Sequence, residues 1–127
     1  MKLKNFSLTY GTQIFKSFSE ESRIRIIHLL FEKKELCISD LETILDFTQT
    51  KTSRHIAYLK SAGLVNAQKI DQWIMYSLKE EVIDFVGQIF KFLKKDDTLI
   101  KDLETFEVMY QNRELSLNKL EQRMWRK

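Results

Sequence analysis

Residues 47–79 constrain this chain more than any other stretch. They read as a short helix carrying Lys51, Ser53, Arg54 and His55, a glycine stop at Gly63, and two strand-like segments over 64–70 and 73–78. Thr48 is placed to cap the helix N-terminus, and Gly63 sits where a left-handed residue ends a helix. The two later segments alternate like half-buried strands. Their junction at Asp71 and Gln72 lacks the Asn-Gly or Asp-Gly pair that marks the strongest hairpin turns. Five basic residues (Lys51, Arg54, Lys60, Lys69, Lys79) face one acid (Asp71), so the run carries +4 in a chain whose formal charge is +3. The remainder is slightly acidic, and the positive charge is gathered in one place.

Helices are expected on both sides of this run. The absence of proline and the presence of only three glycines favour long helices over tight turns. The periodicity predicts a helix over 6–18 and a second over about 20–32, with Ser19 as N-cap. A short strand follows at 36–38. A third helix runs over 39–46, opened by the Ser39/Glu42 capping-box spacing. A fifth helix over about 79–95 is apolar on more than one side, so two of its faces are expected to be covered. Beyond it, Leu99, Leu103, Phe106, Tyr110, Arg113, Leu117, Leu120 and Met124 recur at steps of four and three, a heptad seam with one polar break. The expected fold is mainly α with a small β-hairpin wing. It is a winged helix-turn-helix with an extended C-terminal helix, divided into a domain over 1–95 and an extension over 96–127.

That order of elements can set one helix in a DNA groove with a hairpin beside it. On the fourth helix, Thr52, Ile56 and Leu59 share the inward side, while Thr50, Arg54, Tyr58 and Ser61 share the outward side, flanked by Lys51 and Ser53. Arg54 can donate two hydrogen bonds to a guanine edge, and Gln49 can pair with adenine. Thr48, Thr50, Ser53, His55 and Tyr58 suit phosphate or base contacts. Lys51 and Lys60 suit phosphate, which positions without specifying. Lys69, Gln72 and Trp73 lie at or near the hairpin tip. A solvated polar face beside an ordinary hairpin would show the same charge run, so the ordered arrangement carries more weight than the charge.

The residues 48–65, T-Q-T-K-T-S-R-H-I-A-Y-L-K-S-A-G-L-V, resemble the recognition helix of the ArsR/SmtB family of bacterial winged-helix repressors. S-R-I-R-I-I-H-L-L (22–30) is similar to the family's R-L-x-I-L-x-L-L helix. E-L-C-I-S-D-L (35–41) is similar to its E-L-C-V-C-D-L segment, and Q-W-I-M-Y-S-L (72–78) resembles its wing strand. The likeness covers roughly residues 10–95 in consistent order. It implies a homodimeric repressor of a partly palindromic double-stranded operator, with the first and fifth helices forming the dimer surface. Ile14, Phe15, Val86, Ile89, Phe90 and Leu93 would then meet the partner. The seam at Leu99, Leu103, Phe106 and Tyr110 is expected to pair across the two-fold, in preference to folding back over its own domain.

The family's soft-metal site needs two or three thiolates, and this chain has Cys37 but Ser39 at the second position and no other cysteine. No histidine follows His55, so the C-terminal zinc-type site lacks its ligands. No metal or cofactor is expected. Cys37 reads as a small buried residue, with a thiol sensor as the alternative. His28 reads as a core histidine. No nucleophile–base–acid set or phosphate-binding glycine loop appears, so an enzyme is not expected. The N-terminus lacks an apolar signal core, and no segment has the about 18 uninterrupted apolar residues of a membrane span. A cytoplasmic transcriptional regulator is the expectation, with a protein-interaction module working through the tail as the alternative. Arg123, Arg126 and Lys127 are either a solvated end or added phosphate contacts. The inducer is left open.

Overall fold

The fourth helix is delimited at both ends by the residues the sequence supplies for the purpose. In the computed structural model, which describes residues 5–125, α4 spans Gln49–Ser61. The Thr48 hydroxyl accepts the Lys51 N–H at 3.1 Å. At the other end the Gly63 N–H donates to Lys60 O and the Leu64 N–H to Leu59 O, with Gly63 at φ +85°. This paired return of two amides is the Schellman stop, and it needs a left-handed residue. A side chain at Gly63 would also meet the Tyr10 ring, whose hydroxyl donates to Gly63 O at 2.6 Å.

Before α4 come α1 (Leu8–Ser17), α2 (Glu21–Lys33), β1 (Glu35–Cys37) and α3 (Ile38–Leu45). After it come β2 (Val65–Ile70), β3 (Trp73–Leu78), α5 (Glu80–Leu93), α6 (Asp97–Gln111) and α7 (Ser116–Trp125). The three strands form an antiparallel sheet in the order β1-β3-β2, with Val65 opposite Leu78, Ile70 opposite Trp73, and Cys37 opposite Met75. The hairpin closes in two residues, Asp71 and Gln72, with Asp71 at φ 55°. Asp tolerates the left-handed region because its short side chain can bond locally. The result is a winged helix-turn-helix, with α3 and α4 as the helix pair and β2–β3 as the wing.

Two expected caps fall elsewhere. Ser19 is not the cap of α2: the capping position is Glu20, and the Ser19 hydroxyl donates back to Lys16 O. Ser39 lies inside α3, whose capping position is Cys37, so the Ser39/Glu42 pair forms no capping box.

The core gathers Ile26, Ile27, Leu29 and Leu30 of α2, Leu41 of α3, Leu59 of α4 and Val82, Val86 and Phe90 of α5. Leu99, Phe106 and Leu115 belong to the same cluster. This corrects the seam expected to pair across the two-fold. The extension breaks at 112–115, where Arg113 takes φ 58° and the Arg113 and Glu114 amides return to Tyr110 O and Met109 O. Two helices result, and they pack on their own domain. Leu99 and Phe106 are buried within the protomer, and Leu103 and Tyr110 pack against the same core. These four side chains do not form a free seam.

Polar contacts set this register. Arg25 of α2 meets Asp102 of α6 through two hydrogen bonds, and Lys33 pairs with Glu107. The Asp96 carboxylate caps α6 by accepting the Leu99 N–H. Among the described residues no helix is long and apolar enough to cross a membrane.

Candidate nucleic-acid interface

The outward side of α4 is a polar stripe. Thr48, Gln49, Thr50, Arg54, Lys60 and Ser61 are exposed, while Thr52, Ile56 and Leu59 are buried against the core. Helical geometry puts Thr50, Arg54, Ala57 and Ser61 along one line at steps of four, three and four. Ala57 is exposed on that line and was not singled out from sequence, where a small apolar residue carries no signal. Its small size would leave room for a duplex to approach this surface, and a methyl can contact thymine.

Two residues near this stripe are already engaged within the chain, and a third is partly covered. The Lys51 ammonium lies 4.1 Å from the centre of the Phe47 ring, which restricts its reach. The Tyr58 ring carries the Arg23 guanidinium at 4.0 Å. Arg23 also donates to Lys16 O and Ser17 O at the end of α1 and to Glu20, so it links α1, α2 and α4. Ser53 is half-buried.

His55 is a correction. It is 2% exposed, with Nε2 3.2 Å from Glu20 Oε1 but without the alignment of a hydrogen bond. Burial pushes its pKa below the ordinary value, against the pull of Glu20 and with the push of Arg54, Arg23 and Lys51. It is a neutral interior imidazole and reaches no duplex. It follows Arg54 in sequence, but one helical step of about 100° turns it inward.

The wing projects beside α4. Asn66, Ala67, Gln68 and Lys69 of β2 are all exposed, as is Gln72 at the turn. Trp73 is less free than its place near the tip implies. It is half-buried and packs, with Ile70 and Leu117, on the cluster of Cys37, Met75 and Leu120. Gln72 accepts a hydrogen bond from Arg123 of α7. Arg126 and Lys127 lie outside the described residues.

Cys37 is 4% exposed and covered by α7, with Sγ 3.2 Å from the Ser39 hydroxyl. Among the described residues no three His, Cys, Asp or Glu side chains are grouped to hold a metal ion.

A second surface is apolar. Leu8 and Phe92 are each 88% exposed and Phe15 is 65% exposed, all on α1 and α5. Ile14, Val86 and Phe90, by contrast, are buried in the protomer's own core and are corrected as dimer contacts, and Ile89 and Leu93 are half-buried. Of the six residues expected there, Phe15 is the exposed one. Leu8 and Phe92 turn outward, which periodicity does not mark because an apolar helix gives no contrast between its inner and outer sides.

The sequence matches the model of the bacterial regulatory protein, arsR family, over residues 20–67, which stops short of α5, α6 and α7. It is 40% identical over 77 residues to the arsenical resistance operon repressor of Escherichia coli, covering 61% of this chain and 66% of that one, just under two thirds of its length. It is 31% identical over 72 residues to the arsenical resistance operon repressor of Bacillus subtilis, covering 57% of this chain and 69% of that one. Among solved structures, HlyU from Vibrio cholerae superposes with a TM-score of 0.60 at 28% identity, covering 65% of this chain and 90% of HlyU. With its fold, its α3–α4 pair and its 35–41 and 48–65 segments all in the matching order, the chain belongs to the arsR family of bacterial regulatory proteins.

Proposed function

We propose that this protein is a dimeric transcriptional repressor that binds a specific double-stranded DNA operator in the cytoplasm. The observation that carries the reading is the exposed stripe of α4, led by Gln49 and Arg54, lying beside a wing whose first strand exposes Asn66, Gln68 and Lys69. In a symmetric dimer, two such helices enter successive major grooves about 34 Å apart, so the operator is partly palindromic. Arg54 and Gln49 read base edges, while Lys60 and Lys69 neutralise phosphate and make the affinity fall with salt. A repressor sited on a promoter acts by occupying it, which requires no catalysis.

The dimer forms through α1 and α5, whose exposed Leu8, Phe15 and Phe92 are costly to leave in water. Residues 1–95 hold both the DNA and the dimer surfaces, and residues 96–127 form an extension with a supporting role. The chain works without the family's two-thiolate metal site. In support, Cys37 has Ser39 as its neighbour at 3.2 Å where a second thiolate would stand.

The test is selection of bound sequences from a random duplex pool, followed by gel-shift titration of the winner. Two inverted half-sites separated by about one helical turn are expected. Enrichment of no sequence, or binding that ignores salt, would refute the reading.

A further inference from the structure

We propose that α7 is a strut that fixes the wing relative to the recognition helix, with Arg123 as the positioning residue for the wing tip. The proposal rests on the DNA-binding reading above and adds a role for the extension.

Three contacts along α7 support it. At its N-terminal end, Asp40 of α3 is 3% exposed, and its two carboxylate oxygens accept the Ser116 N–H at 2.7 Å and the Leu117 N–H at 2.9 Å. A carboxylate placed on the free amides of a helix N-terminus is a strong, oriented anchor. Because α3 packs on α4, that anchor is tied to the recognition helix. In the middle, Leu120 is 2% exposed and closes on Cys37 of β1 and Met75 of β3, which stand opposite each other in the sheet. At its C-terminal end, Arg123 Nη1 donates to Gln72 Oε1 at 3.2 Å, and Nε lies 3.6 Å from Asp71 Oδ2. These are the two residues of the wing turn. A helix of ten residues is about 15 Å long, so one rigid element reaches from the first turn of α3 to the wing tip.

The wing tip needs such a support. β1 pairs with β3 only at Met75, Tyr76 and Ser77, so the ribbon towards the turn is two-stranded and marginal by itself, and its turn puts a non-glycine residue, Asp71, at φ 55°. Asp71 is also the one acid in the basic run of 47–79, placed where a phosphate backbone would pass. Arg123 grips both turn residues through two different nitrogens, which a planar guanidinium can do and a lysine ammonium cannot reproduce.

The experiment uses the full chain and the duplex selected from the random pool, with Arg123→Ala, Arg123→Lys and Lys69→Ala variants and an Arg54→Ala control. Arg123 is exposed, so its variants fold. Arg123→Ala is expected to weaken duplex binding by about fivefold and to raise amide exchange at 69–73 in the free protein, with α4 exchange unchanged. In the Lys69→Ala background the same change is expected to cost less, because the contact being positioned is gone. Arg123→Lys is expected to stay impaired.

Normal binding by Arg123→Ala, or unchanged exchange at 69–73, would overturn the strut. So would full rescue by Arg123→Lys with equal losses in both backgrounds, since Arg123 would then touch phosphate directly. An Arg54→Ala variant that binds normally would instead remove the recognition-helix reading. Loss with Arg54→Ala and none with Arg123→Ala rejects the strut alone.

Discussion

Arg25 and Asp102 meet in two parallel hydrogen bonds, Nε to Oδ2 and Nη2 to Oδ1, each 2.9 Å long. The pair joins α2 to α6 across 77 positions of sequence. The Asp102 side chain is 5% exposed and that of Arg25 27%, so the carboxylate is the group at risk. Arg25→Ala would strand a buried charge and is expected to cost about 2–3 kcal/mol, below the fully buried case because solvent reaches the guanidinium. The double variant Arg25→Met/Asp102→Leu should recover most of the loss. Urea titrations of the single and double variants measure the difference.

Arg54 and Lys60 are both exposed on α4 but are expected to differ in kind. Arg54→Ala should weaken binding to the selected duplex by about 1–3 kcal/mol and relax preference at one base pair. Lys60→Ala should weaken binding to all duplexes alike and lower the salt slope by about 1. Gel-shift titrations at several salt concentrations, with matched and scrambled duplexes, separate the two.

Phe92 presents most of its ring to solvent and leaves the protomer core undisturbed when changed. Phe92→Glu and Phe15→Glu are each expected to weaken self-association at least about tenfold without lowering helix content, because a charge would be buried in an apolar interface. Analytical ultracentrifugation across a concentration series reads the dissociation constant. A dimer untouched by both changes would move the interface away from α1 and α5.

Stability is expected to fall on mild acidification. His28 is 4% exposed, stacks edge-on to Phe90 at 4.9 Å, and its Nδ1 has no hydrogen-bond partner among the described residues. Burial lowers its pKa below 6.5, with Glu32 and Asp102 pulling weakly the other way. Burial lowers that of His55 as well. The unfolded chain therefore binds protons more readily than the folded one as pH drops through 6.5. The stability is full above that pH, declines below it, and levels off once the depressed folded-state values are passed. Urea titrations at about pH 7.5 and about pH 5.5 should show the decline, and His28→Leu should flatten it.

Much of the candidate interface was legible because its signals are local. Thr48, Gly63 and the strand alternation each act within a few residues, so the ends of α4 and the hairpin could be placed from neighbours alone. His55 was misplaced for the opposite reason. It is a polar residue beside genuine surface positions, and only the packing of the closed chain, which sets it against Glu20, buries it. The same holds in part for Trp73, which stands at the hairpin tip but is half-buried on the cluster of Cys37, Met75 and Leu120.

The amino-acid order determined the helix, glycine stop and hairpin, the concentration of positive charge there, and the family pattern that contains them. What only the tertiary structure decided is where residues 97–125 go. A seam of leucines and aromatics at heptad spacing is equally able to bury itself against a partner or against its own domain, since the hydrophobic effect has no direction. The choice was made by oriented polar contacts, Asp40 on the Ser116 and Leu117 amides and Arg25 on Asp102, between residues 76 or 77 positions apart. Such pairs have no local periodicity to betray them, and they come into being only when the chain has closed.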